Sequence, residues 1–135
     1  MFIPVNLHYT SNHLWLRDVG RQDAYVGITD YAQKELGRID FMEIQHEGSL
    51  KKAGETFGAI YGSNKCIELI MPFAGQILIV NGDIETHPRL LNSDPYHYWI
   101  VLLTTTNNNL TNNMGRYLTS ETYLEAISLT KTWNK

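Results

Sequence analysis

Few side chains in this sequence have the types and spacing to do chemistry. The five histidines, His8, His13, His46, His87 and His97, form no pair at ligand spacing, and the lone Cys66 offers no thiolate cluster, so no metal centre is expected. The Gly-x-x-Gly spacings neither follow a strand nor open a helix, which excludes a phosphate cradle. No Gly-x-Ser-x-Gly elbow occurs and no triad can be assigned among the scattered Asp, Glu and Ser residues, so the chain does not read as an enzyme. Asn109-Leu110-Thr111 has the form of a glycosylation sequon, which carries meaning only in a secreted chain. Cys66 beside Lys65 reads either as a thiol activated by a neighbouring ammonium or, more commonly for a strand, as a small buried hydrophobe. Lys65 remains. A lysine on a turn is ordinarily just solvated, but at the tip of a rigid hairpin it can anchor a carried group, the turn fixing the backbone while the long stem swings.

The elements that would position Lys65 are short. Ala59-Ile60-Tyr61 and the run Cys66 to Met71 are joined by Gly62-Ser63-Asn64-Lys65, a hairpin with turn residues at its tip. Before it, Leu14 and Leu16 are expected to pair with Tyr25 and Val26 across the polar "RDVGRQD". "GITDYAQKELG" reads as a helix of roughly two turns, capped by Thr29 or Asp30, with Tyr31, Ala32 and Leu36 on one face and Gly37 as its stop. "RIDFMEI" is a strand and "SLKKAGETFG" a polar connection. "AGQILIV" is a strand closed by the turn "NGD". "ETHPRLLNSDPYHY" reads as an irregular loop, "WIVLLTT" as a buried strand, and 106–115 as a polar, Asn-rich loop with little capacity to pack. "YLTSETYLEAISLTKTW" closes the chain as an amphipathic helix burying Tyr123, Leu124 and Ile127.

At 135 residues the chain has the size of one domain, taken as 1–135. A net charge of −3 argues against a nucleic-acid binder. No run approaches the roughly 20 apolar residues of a membrane-spanning helix. The start shows no basic, then apolar, secretory pattern, and a single cysteine suits a reducing compartment, so a cytoplasmic location is expected. Short strands between glycines, with two helical additions, predict an all-β class: a small flattened antiparallel barrel or sandwich.

Several longer motifs resemble the H protein of the glycine cleavage system. "YTSNHLWLR" is similar to that family's Tyr-Thr-x-x-His-Glu-Trp opening, and "VGITDYAQKELGRIDFMEI" is close to its Gly-Ile-Thr-x-x-Ala-Gln-x-x-Leu-Gly-x-Ile-x-Phe-x-Glu signature. "AGETFGAI", "MPFAGQILIVN", "PRLLNSDPY" and "LTSETYLEAI" extend the match from about Tyr9 to Ile127. The resemblance implies a barrel-sandwich hybrid of the lipoyl-domain type and a carrier without catalytic activity of its own. It implies lipoate in amide linkage on the hairpin lysine, carrying an aminomethyl group between glycine decarboxylase and aminomethyltransferase. Dihydrolipoyl dehydrogenase would reoxidise the arm, and a lipoate-attaching enzyme would install it.

The departures fall on the working residues. The family reads Phe-Gly-x-Val-Glu-Ser-Val-Lys-Ala-x-Ser-Asp before a Pro. Phe57-Gly58 and Pro72 keep that spacing, so Tyr61 falls on the Glu, Asn64 on the lipoyl Lys and Glu68 on the Asp. Lys65 stands one residue late. Because side chains alternate along a strand, a one-place shift aims Lys65 at the other face, unless a bulge at Gly62 restores it to the tip. The cleft for the cargo is expected at Glu68, Asn12 and the family's Glu position, here Leu14, which leaves a cationic cargo short of a carboxylate. Three roles stay open on these residues: a lipoyl carrier using Lys65, a lipoyl carrier with another cargo as in sulfur metabolism or lipoate relay, and an unlipoylated binding module.

Overall fold

The structure, a computed structural model, describes residues 1–105 and 110–133. In chain order the strands are β1 (His8–Tyr9), β2 (Leu14–Asp18), β3 (Asp23–Ile28), β4 (Ile39–Ile44), β5 (Leu50–Lys51), β6 (Thr56–Gly62), β7 (Cys66–Ile70), β8 (Gly75–Val80) and β9 (Val101–Thr105). They form two antiparallel sheets, one of six strands ordered β1-β2-β3-β9-β8-β5 and one of three ordered β4-β6-β7. The expected all-β class is what the chain adopts.

Alternation along β2 sets up two apolar clusters. Leu14 and Leu16 face one way, into the main core with Val26, Ile28, Ile60 and Leu69. Trp15 faces the other way, into a second cluster with Tyr9, Tyr31, Tyr96, Tyr123 and Ile127. A period of two on a strand buried on both sides produces this division. The main core cements the two sheets, while the aromatic cluster holds the C-terminal helix.

The first helix, α1 (Asp30–Leu36), forms where its capping signals lie. Thr29 Oγ1 accepts from the Ala32 amide at 3.2 Å, Tyr31, Ala32 and Leu36 are buried, and Gly37 ends the helix at φ 76°. That left-handed backbone suits glycine.

Other connections are more ordered than the sequence suggests. "NGD" is not a turn: Asn81 caps α2 (Gly82–Thr86), accepting from the Asp83 amide at 3.1 Å and donating to the Trp99 carbonyl at 2.8 Å. The segment read as an irregular loop contains the last two residues of α2 and all of α3 (Leu90–Ser93), because Ile84 and Leu91 are each completely buried and seat their turns on the core. The polar connection after β4 contains β5, which pairs with β8. Of the expected polar loop 106–115, residues 106–109 lie outside the described ones. The rest forms α4 (Leu110–Asn113) and a 3-10 turn at Met114–Arg116, with Leu110 and Met114 in the main core. Two apolar residues four apart suffice to seat a helical turn there. The last helix, α5 (Ser120–Trp133), buries Tyr123 and Ile127, but Leu124 is 49% exposed and belongs to its outer face.

Candidate functional site

The hairpin β6–β7 pairs Ala59 with Glu68, Ile60 with Ile67 and Tyr61 with Cys66 in unbroken register. The connection Gly62-Ser63-Asn64-Lys65 is closed by the Gly62 amide donating to the Lys65 carbonyl at 2.9 Å. Its apex is therefore Ser63-Asn64. The irregularity in this ladder lies between Thr56 and Gly58. The compensating bulge at Gly62 is absent, and Lys65 does not regain the tip.

This tip is strapped to the end of α1. The Asn64 amide donates to Leu36 O at 2.9 Å, the Ser63 amide to Arg38 O at 2.8 Å, and the Arg38 amide to Ser63 Oγ at 3.0 Å. Contact is close: a Cβ on Gly62 would stand 2.2 Å from Leu36 O.

Lys65 shares the strand parity of Ile67 and Leu69, which lean toward the core. Its stem accordingly turns toward α1, where Nζ meets Glu35 Oε1 at 3.2 Å, with side chains 50% and 43% exposed. Beneath this pair opens a cleft of about 580 Å³, lined by Asn12, His13, Tyr31, Glu35, Lys65 and Glu68 among others. Asn12, Glu68 and Lys65 thus come together as the sequence suggests. Leu14 does not join them. It is fully buried in the main core beside Leu16, because alternation along β2 points both inward, so this position is not a cleft wall.

His13 and Glu35 are cleft residues that the sequence reading missed. Glu35 follows Tyr31 by four positions, so helical spacing could have placed both on one face. His13 carried no such signal. It sits at φ 69°, a left-handed conformation uncommon outside glycine, which swings its ring onto Tyr31 with centroids 4.7 Å apart. His13 Nδ1 lies 2.9 Å from Tyr123 Oη, which lies 2.7 Å from Thr29 Oγ1. The cleft is thereby wired to the cap of α1 and to α5.

Burial lowers the His13 pKa from its ordinary 6.5, with the Lys65 ammonium helping and the Glu35 carboxylate opposing. Burial also raises the Tyr31 pKa, reinforced by the adjacent Glu35 charge. Both groups are held neutral. Between 6.5 and the depressed folded value, the unfolded chain binds more protons at His13, so stability falls as pH drops through that window and levels below it. Denaturant titrations from neutral to acidic pH should show this slope, and His13→Gln should flatten it. An unchanged profile in the variant would contradict the assignment.

Two antiparallel sheets folded over one another, with a tight hairpin beside a polar cleft, define a flattened barrel-sandwich domain of the lipoyl-domain type. The model of the glycine cleavage H-protein family matches residues 7–128. A glycine cleavage system H protein from Bacteroides thetaiotaomicron is 40% identical over 129 residues, covering 95% of this chain and 99% of the relative. Another, from Mycolicibacterium vanbaalenii, is 38% identical over 122 residues, covering 90% and 93%. The crystal structure of a glycine cleavage system H protein from Mycobacterium marinum matches at a TM-score of 0.81 and 27% identity, over 93% of this chain and 99% of that one. The chain belongs to the glycine cleavage H-protein family. Among the described residues, no helix is long and apolar enough to cross a membrane.

Proposed function

We propose that this chain is an H-type docking component of a glycine cleavage system, whose hairpin carries no lipoyl arm at the family position. One observation carries this reading: Asn64 stands at the apex, and Lys65 turns back from it to meet Glu35 at 3.2 Å. Amide attachment needs a nucleophilic amine, and the Asn64 carboxamide is not one. The residues at the apex therefore do not fit lipoate. Burial of Leu14 supports the same reading, since a cationic cargo in the cleft would lack the carboxylate expected there. Glycine decarboxylase, aminomethyltransferase and dihydrolipoyl dehydrogenase are the partners this surface would meet, in a cytoplasmic setting.

A second reading has an observation in its favour. The Lys65–Glu35 pair is half-exposed. Such pairs contribute only about 0–1 kcal/mol, so Lys65 can leave Glu35 and reach a lipoate-attaching enzyme. The chain would then be a lipoyl carrier, with an aminomethyl group or another cargo as in sulfur metabolism or lipoate relay.

Intact mass after co-expression with a lipoate-attaching enzyme and free lipoate separates the two. The expected result is an unmodified wild-type chain and one added lipoyl group on Asn64→Lys. A lipoyl group on the wild type that disappears in Lys65→Ala would overturn the first reading and establish the second.

A further inference from the structure

A second hollow opens where Arg116 ends the 3-10 turn. It encloses about 330 Å³, with Ser11, Gly54, Met71, Arg116 and Tyr117 in its walls. It meets the cleft along Ser11, Asn12 and Ile70, and neither Lys65 nor Glu35 nor Glu68 lines it. Three ties give it a fixed shape. Tyr9 and Leu118 exchange amide hydrogen bonds, each at 2.8 Å, the Gly54 amide donates to Met71 O at 2.9 Å, and the Tyr117 phenol donates to Pro72 O at 2.8 Å. Tyr9 and Met71, both buried, supply an apolar part of the lining.

Its charge is opposite to that of the acidic cleft wall. Among the described residues that line it, Arg116 is the only charged one, and Arg116 forms no salt bridge with any described residue. Glu55, next to Gly54 in the chain, turns its carboxylate onto the Lys52 amide at 2.6 Å. The Ser11 hydroxyl and the Asn12 carboxamide have no hydrogen-bond partner among the described residues. A neighbouring hollow of about 250 Å³ shares Ala53, Pro72, Arg116 and Tyr117 with the first, and Arg116 is the only charged residue described in its lining too. Phe73 and Leu110 extend the apolar surface there.

We propose that this hollow binds a carboxylate carried on a compact apolar body, with the Arg116 guanidinium gripping the carboxylate, Ser11 and Asn12 as further donors, and the body lying against Met71 and Tyr9. A planar guanidinium matches a carboxylate through two parallel N–H···O bonds, a fit that a lysine ammonium does not reproduce. A phosphate dianion would find one cation for two charges, and a cationic ligand would be repelled. A preformed concavity of this volume, mostly apolar with a few converging polar groups, is the usual form of a small-ligand site. The same chemistry is offered by a free organic acid and by the C-terminal carboxylate of a partner chain that ends in an apolar residue. The inference is independent of lipoylation, since neither Asn64 nor Lys65 lines the hollow.

The test is a ¹⁵N–¹H titration of the full chain with 3-phenylpropanoate and its amide, and with acetyl-Gly-Gly-Phe carrying a free or an amidated C-terminus. Saturable shifts should concentrate on Ser11, Asn12, Gly54, Met71 and Arg116, with each amide binding at least about tenfold more weakly than its acid. Arg116→Gln should weaken the acid by at least about tenfold, and Arg116→Lys, which keeps the charge without the fork, by at least about threefold. Arg89→Gln removes the same charge from another exposed position and should leave binding unchanged. Tighter binding of phenylpropanoate assigns the site to free acids, and tighter binding of the peptide acid assigns it to a partner's C-terminus. Dispersed spectra verify that each variant is folded. Shifts that are absent, scattered or centred on Lys65, equal affinity for the amides, or undiminished binding by Arg116→Gln would overturn the proposal.

Discussion

Trp15→Ala is expected to lower the unfolding free energy by about 4 kcal/mol, the range found when a large aromatic side chain is removed from a core. Trp15 is completely buried at the centre of the aromatic cluster. Its ring lies over Gly27, the cross-strand partner, where a Cβ would come within 2.4 Å of it. The Nε1–H donates to Pro95 O at 2.9 Å, and the Arg17 guanidinium lies 4.9 Å from the ring centroid. Alanine would leave a cavity together with an unpaired buried carbonyl, two penalties that add. Trp15→Phe keeps most of the apolar contact and loses the donor, so it should cost about 1–3 kcal/mol. Urea unfolding followed by circular dichroism would rank the three proteins. A loss under about 1 kcal/mol in Trp15→Ala would mean that the cluster does not hold the sheet to α5 as described.

Gly62→Ala should cost about 2–3 kcal/mol through overpacking. The added methyl would lie 2.2 Å from Leu36 O and 2.8 Å from Leu36 C, both backbone atoms of the α1 terminus. A flexible side chain could swing aside, but a helix end cannot. Relief requires the hairpin tip to lift off α1, which breaks the bonds from the Asn64 amide to Leu36 O and from the Ser63 amide to Arg38 O. Hydrogen exchange at Ser63 and Asn64 should accelerate along with the global loss. Gly82→Ala provides the contrast, because nothing lies within 4 Å of its Cβ direction. That substitution should stay within about 0.5 kcal/mol of wild type. Equal effects at the two glycines would refute the strapped-tip arrangement.

Local signals carried much of the fold. Thr29, the apolar spacing of Tyr31, Ala32 and Leu36, and Gly37 specify α1 because cap and period are properties of adjacent residues. The β6–β7 hairpin and the β2–β3 pair were legible for the same reason. The short helices α2, α3 and α4 were not. Each is anchored by one or two apolar residues, Ile84, Leu91, or Leu110 with the 3-10 turn's Met114, whose partners lie in distant strands. Leu124 was misplaced because an apolar residue on an amphipathic helix does not reveal whether it belongs to the buried face or its edge.

The candidate site divides in the same way. The motif spacing from Phe57 to Pro72 by itself determined that Asn64 takes the lysine's place, whereas strand alternation left two directions open for Lys65, depending on a bulge at Gly62. Glu68 was likewise assigned to a cleft through its place in the family pattern. Only the tertiary structure decided that the apex carries no bulge, that Leu14 is core, that His13 turns into the cleft, and that Lys65 ends on Glu35. The first and last of those outcomes depend on how the end of α1 packs against a hairpin tip some 25 to 30 positions away in the chain, as in the Arg38–Ser63 and Glu35–Lys65 contacts. Alternation and capping act between neighbours and are written in order along the chain, whereas the direction of a side chain at a turn is set by whatever surface the fold brings against it.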